Sequence, residues 1–155
     1  MPQPPPLALE WRVSTWFNTP KPLTLAGLRG RVVVLHTFQM LCPGCVSHGL
    51  PQAQKIHHTF DAKDVAVVGL HTVFEHHDAM KPVSLEAFLH EYRITFPVGV
   101  DEPSDEPDGV PHTMRLYRLR GTPSLVIIDR EGRVRHHGFG AEDDLKIGYV
   151  LGALV

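Results

Sequence analysis

The stretch Val32-Val33-Val34-Leu35-His36-Thr37-Phe38-Gln39-Met40-Leu41-Cys42-Pro43-Gly44-Cys45 decides how this chain is read. Its first half is a nearly unbroken run of β-branched and apolar residues, the composition of a buried strand. The run stops at the two cysteines of the protein, spaced Cys-x-x-Cys, and Val46 to Phe60 behind them has the length and composition of a helix. Cys42 is therefore expected at a strand-to-helix junction, where unpaired backbone N–H groups and the helix dipole favour a thiolate. Thiols in such motifs can reach pKa values of roughly 3.5–7.5. A ready thiolate with a second thiol three residues on is the minimum equipment for thiol–disulfide exchange. Half of a zinc site is a second reading, but it calls for another Cys or His pair at suitable spacing. A purely structural disulfide is a third, and so short a loop would constrain the unfolded chain little. Redox chemistry is the favoured reading.

Outward from that stretch, 155 residues fit one domain, read as residues 7–155 behind a disordered or polyproline-like segment 1–6. A net charge of −2 with no block of like charges argues against a nucleic-acid or membrane-surface partner. The proline-rich start lacks the basic and apolar regions of a secretory signal, and no segment has the apolar length of a membrane span. The expected location is the cytoplasm, where paired cysteines are more often catalytic than structural.

Other segments take their places around the central strand. Leu7 to Phe17, with Leu9, Trp11 and Val13 alternating, reads as a short strand or hairpin. Thr24 is a candidate cap for a short helix, Leu25 to Leu28, ended by Gly30. Pro51 lies inside the active-site helix and should kink or restart it. Val65 to His71 reads as a second buried strand, parallel to the first. Ser84 is the expected cap of a helix through Tyr92, and Phe96 to Val100 is a short apolar run. Asp101 to Pro111 reads as a surface loop, with a helix from Pro111 to Leu119 after it. Ser124 to Asp129 and Val134 to Gly138 flank a turn at Arg130-Glu131-Gly132, a hairpin signature. Asp143 to Leu154 closes as an amphipathic helix. The order β-α-β-α-β-β-α predicts an α/β sandwich around a mixed sheet.

In this order and spacing the pieces resemble the thioredoxin-like superfamily, in its TlpA-like, redoxin (AhpC-TSA-type) branch. The residues that carry the resemblance are Leu25-Ala-Gly-Leu-Arg-Gly-Arg-Val-Val-Val-Leu35, Cys42-Pro-Gly-Cys45 and Thr95-Phe-Pro-Val98. Leu119-Arg-Gly-Thr-Pro-Ser124 and Ile128-Asp-Arg-Glu-Gly-Arg-Val134 complete them. The resemblance implies a three-layer α/β/α sandwich with a central mixed sheet and an N-terminal strand or hairpin extension. It also implies a cis Thr122-Pro123 bond facing the Cys42–Cys45 pair, with Thr122, Pro123, Pro43 and Gly44 docking a partner. No cofactor is expected beyond the redox-active disulfide itself. Expected partners are a protein or small-molecule disulfide and an upstream thiol electron donor, with the reaction running in the reducing direction.

The chain departs from the resemblance at several points. Leu41 replaces the usual Trp before the first cysteine. His36 stands where relatives place a buried Asp or Asn, and is a candidate base for Cys45 or else a satisfied core histidine. Glu75, beyond the second strand, is a candidate modulator of the thiols or a solvated loop acid. His71 is a second candidate modulator, and with Glu75, His76 and His77 it makes a potential ligand set, although neighbouring histidines point apart on most backbones. Met40 and Leu41 are the expected apolar collar. Rival readings are a thiol-dependent peroxidase, a metal-binding module using Cys42, Cys45 and nearby histidines, and a redox-silent interaction domain. The peroxidase reading is weakened because Gln39 occupies the position where a Thr usually polarises the peroxide.

Overall fold

The computed structural model describes residues 1–155. Val32–Phe38 forms β2, and all seven of its residues are buried. The pleat sends Val32, Val34 and Phe38 to one face and Val33 and Leu35 to the other, so β2 feeds two cores at once. Such two-sided burial explains why its sequence is continuously apolar rather than alternating. Val65–His71 (β3) lies parallel to it, Val32 opposite Val65 and Phe38 opposite His71. On the other side Ser124–Ile128 (β5) runs antiparallel to β2 and forms a hairpin with Val134–Phe139 (β6). Val98–Asp101 (β4) lies parallel to β3, and Val13–Phe17 (β1) is antiparallel to β4. The mixed sheet therefore runs β1-β4-β3-β2-β5-β6.

One face is covered by α1 (Leu50–Thr59), α2 (Pro82–Glu91) and α4 (Asp144–Leu154), through residues such as Ile56, Leu85, Leu89 and Leu151. The other is covered by α3 (His112–Leu116), the 3-10 turn Ala26–Leu28 and Trp11. These are the three layers expected. Thr24 Oγ1 accepts the Gly27 N–H at 3.0 Å, which starts the short turn as read from sequence.

Four details differ from the expectations. Helix α2 begins at Pro82, not behind Ser84, because proline at the first helical position presets φ and lacks an N–H that would be orphaned anyway. Helix α3 stops at Leu116, short of Leu119, and Arg118 beyond it takes a left-handed φ of 52°. The N-terminal prolines are tied down at their inner end: Pro5 O accepts from the Arg133 guanidinium at 2.8 Å and Pro6 O from the Val134 N–H at 2.8 Å. Asp101 is not in a surface loop. It ends β4 and is buried. Its carboxylate accepts the Thr113 and Met114 N–H groups at 2.8 and 2.9 Å and the Thr72 hydroxyl at 2.8 Å. That one side chain joins the ends of β3 and β4 to the first turn of α3.

Candidate active site

The site forms where β2 ends. Helical backbone begins at Pro43, directly after Cys42, so Cys42 sits where the first N–H groups of a helix lack intrahelical partners. The next turn is not α-helical. Cys45–Gly49 is a π-helical turn, closed by the Leu50 N–H on Cys45 O, and α1 proper starts at Leu50. Pro51 supplies the physical reason: it has no N–H to give, and its ring would collide with the carbonyl four residues back in a regular α-helix. The expected restart at Pro51 thus takes the form of a widened turn just before it. Gly49, inside that turn, packs directly on β2. A Cβ there would lie 2.6 Å from His36 Cε1 and 3.0 Å from Pro123 Cβ.

The two cysteines are free thiols in unequal settings: Cys42 is partly exposed and Cys45 fully buried. The Cys42 sulfur accepts the Cys45 N–H at 3.3 Å, and its thiol donates to Thr122 O at 3.4 Å. Burial pushes the Cys45 thiol up to about 12, helped by a hydrogen bond with Cys42 and opposed by the Gln39 backbone and the Thr122 side chain. Cys45 is therefore a protonated thiol at neutral pH, and Cys42 is the accessible sulfur.

Across from the cysteines the Thr122–Pro123 peptide bond is cis. Pro123 Cδ lies 3.5 Å from the position of a Cβ at Gly44, so Gly44 and Pro123 stand in van der Waals contact. The Thr122 N–H has no hydrogen-bond partner in the chain. A free backbone donor therefore lies within the same two-residue segment that touches the Cys42 sulfur.

His36 lies behind this front. Its ring stacks on Phe38 with centroids 5.7 Å apart, beside Gly49 and Pro123, and Nε2 is buried without a hydrogen-bond partner. Burial, with a smaller push from His48, lowers it to about 4, so the ring is neutral with an unused nitrogen. His71 is different. It is buried at the end of β3, and Nε2 accepts the Met40 N–H at 3.1 Å. That bond places the ring proton on Nδ1. Burial lowers His71 to about 4 as well. His71 thus braces the backbone two residues before Cys42.

Glu75 does not join the site: it is exposed and forms no hydrogen bond or ion pair. His77 turns away to Gly109 O at 3.0 Å, and His76 has a left-handed backbone with φ of 49°. No three His, Cys, Asp or Glu side chains converge as metal ligands would. Of the expected collar, Met40 is buried and only Leu41, 55% exposed, faces outward.

One residue of the site escaped the sequence reading, which used Gln39 only to weigh peroxidase chemistry. Gln39 is 1% exposed. Its Nε2 donates to Thr122 Oγ1 at 3.4 Å, and its Oε1 accepts the Phe74 N–H at 3.2 Å. It links the cysteine loop to the cis-proline loop and to the loop after β3. The available signal was a buried-strand pattern ending in a polar side chain next to the motif, which must find partners if it is inside.

This architecture is the fold of thioredoxin-like thiol–disulfide proteins. Residues 12–137 match the AhpC/TSA family model, and the chain belongs to the AhpC/TSA family. A crystal structure of a thioredoxin-like superfamily protein is 56% identical, covers 96% of this chain and 95% of its own, and superposes with a TM-score of 0.93. A thiol-disulfide isomerase from Corynebacterium glutamicum is 53% identical over the same shares, with a TM-score of 0.91. Protein DipZ of Mycobacterium bovis is 29% identical over 133 residues, which are 84% of this chain but 18% of that protein. The chain thus spans under a fifth of that curated relative. No helix is long and apolar enough to cross a membrane.

Proposed function

We propose that the protein is a thiol–disulfide oxidoreductase that reduces disulfides through the Cys42–Cys45 pair. The observation that carries the reading is the asymmetry of the two sulfurs: an accessible Cys42 ahead of a helix, and a buried, protonated Cys45 touching it. The Cys42 thiolate attacks one sulfur of a substrate disulfide, forming a mixed disulfide and releasing the other sulfur as thiolate. Cys45 then gives up its proton and attacks the Cys42 sulfur, closing the Cys42–Cys45 disulfide and releasing the reduced substrate. An upstream thiol donor returns the pair to the dithiol. The free Thr122 N–H supplies a backbone donor for a substrate strand, and Pro123, Pro43 and Gly44 shape the surface it meets.

In this reading His36 assists the second step. With the thiol near 12 and the imidazole near 4, the proton stays on sulfur in the resting protein. The unpartnered Nε2 accepts it only while the sulfur is being consumed. His36→Ala is expected to slow resolution of a preformed mixed disulfide more than it slows attack by Cys42, as rapid-mixing kinetics would show. Equal slowing of both steps, or of neither, excludes the base role.

The relatives' names favour the same chemistry: one is a thiol-disulfide isomerase. The peroxidase reading gains nothing from the geometry, since Gln39 is committed to Thr122 and Phe74. Cys45→Ser is expected to accumulate mixed disulfides through Cys42, resolvable by added thiol, whereas Cys42→Ser forms none. A Cys45→Ser protein that traps nothing in an oxidised extract would contradict the proposal.

A further inference from the structure

We propose that the substrate is a polypeptide carrying an acidic side chain close to its reactive cysteine, recognised by Arg120 beside Phe139. The inference rests on the dithiol-exchange reading above and specifies its partner. Arg120 is two residues from Thr122, whose carbonyl touches the Cys42 sulfur. Its guanidinium lies 5.6 Å from the centroid of the Phe139 ring, and that ring lies 2.9 Å from where a Cβ would stand on Gly121. Phe139 is 50% exposed and pairs with Ser124, immediately after the cis proline. Leu41, next to Cys42 in the chain, is also exposed. The rim of the site is thus two apolar groups with a cation lying on one of them.

The charge of this rim is unspent. Arg12, Arg115, Arg130 and Arg135 have carboxylate partners, whereas Arg120, like Arg93 far along the chain from the cysteines, is exposed and makes neither ion pair nor side-chain hydrogen bond. Glu142, whose carboxylate lies against Gly138 on the same hairpin, is occupied by His136 at 2.8 Å. A protein with net charge −2 thus keeps a free cation at its reactive edge, and a local field of this kind steers an oppositely charged partner. The Arg120 guanidinium lies over the ring, and its N–H groups have no partner in the chain and stay open to a carboxylate. Exposed apolar groups on both the cysteine segment (Leu41) and the hairpin beside the cis proline (Phe139) offer a polypeptide more to contact than a small disulfide can use.

The test uses reduced protein as stoichiometric reductant and disulfide-linked homodimers of short peptides whose cysteine is followed by Asp, Gln or Lys. Free peptide thiol is counted after acid quench and alkylation, and hydroxyethyl disulfide serves as an uncharged small substrate. At low salt the Asp peptide is expected to react about three- to fivefold faster than the Gln peptide and the Lys peptide slower. The Asp/Gln ratio should fall towards one at about 0.5 M salt. It should also fall in Arg120→Gln, and Arg120→Glu should reverse it in favour of Lys. Equal rates for Asp and Gln with the wild-type protein at low salt, or a ratio unmoved in Arg120→Glu, overturn the preference while leaving disulfide exchange standing. Failure of the wild-type protein with every peptide and with hydroxyethyl disulfide instead removes the underlying reading.

Discussion

His36 and His71 are neutral because they are buried, and that ties stability to pH with a definite sign. Both are held at about 4 in the folded chain, against roughly 6.5 when unfolded. Between those values the unfolded chain binds more protons, so the stability they contribute is complete above about pH 6.5 and is lost as pH falls towards 4. Each contributes at most on the order of 3 kcal/mol. Urea midpoints should therefore drop between pH 7 and pH 4.5, and His71→Asn should flatten that drop while lowering the midpoint at pH 7, since the Met40 N–H loses its acceptor. An identical pH slope in His71→Asn would separate that histidine from the effect. The sequence made both histidines candidates but could not assign their tasks. The partner of His71 is a backbone N–H 31 residues away, and the neighbours of His36 arrive from another helix and another loop.

At the scale of elements, the π-helical turn and the buried Asp101 do the positioning. Gly49 lets the widened turn touch β2, and Gly49→Ala must displace His36 or Pro123. It should cost about 1–3 kcal/mol as overpacking, with much of the loss recovered in Gly49→Ala/His36→Ala. Additive losses in that double variant, measured by denaturant melts, would mean the close approach is not the cause. Asp101→Ala leaves two N–H groups and a hydroxyl without their acceptor and should lower stability by about 2–4 kcal/mol. The proline that widens the turn was visible in the chain, although its consequence, a π turn bringing Gly49 onto His36, was not. Asp101 was misplaced because acidic, proline-rich surroundings read as loop. Its burial depends on Thr72 and Thr113, which only the folded sheet brings near.

At the scale of the whole molecule, the layered fold was legible because β2 and β3 are apolar on both faces, a pattern that needs helices above and below. Cys42, Cys45 and the facing Thr122-Pro123 were legible through the motif and its resemblance. Gln39 and the free Arg120 were not, since their roles arise from who else reaches that edge of the sheet. The fold as a whole serves one arrangement: a central strand that delivers a partly exposed thiol and a buried one to the same end of the sheet. The measurement that tests this most directly is a redox titration of the purified protein across thiol/disulfide buffers, quenched, alkylated and read by mass. The expected result is a reversible two-electron transition of the Cys42–Cys45 pair at or below about −270 mV, the thioredoxin value. A midpoint near about −120 to −180 mV would contradict the reducing direction, and the absence of any reversible transition would contradict dithiol exchange itself.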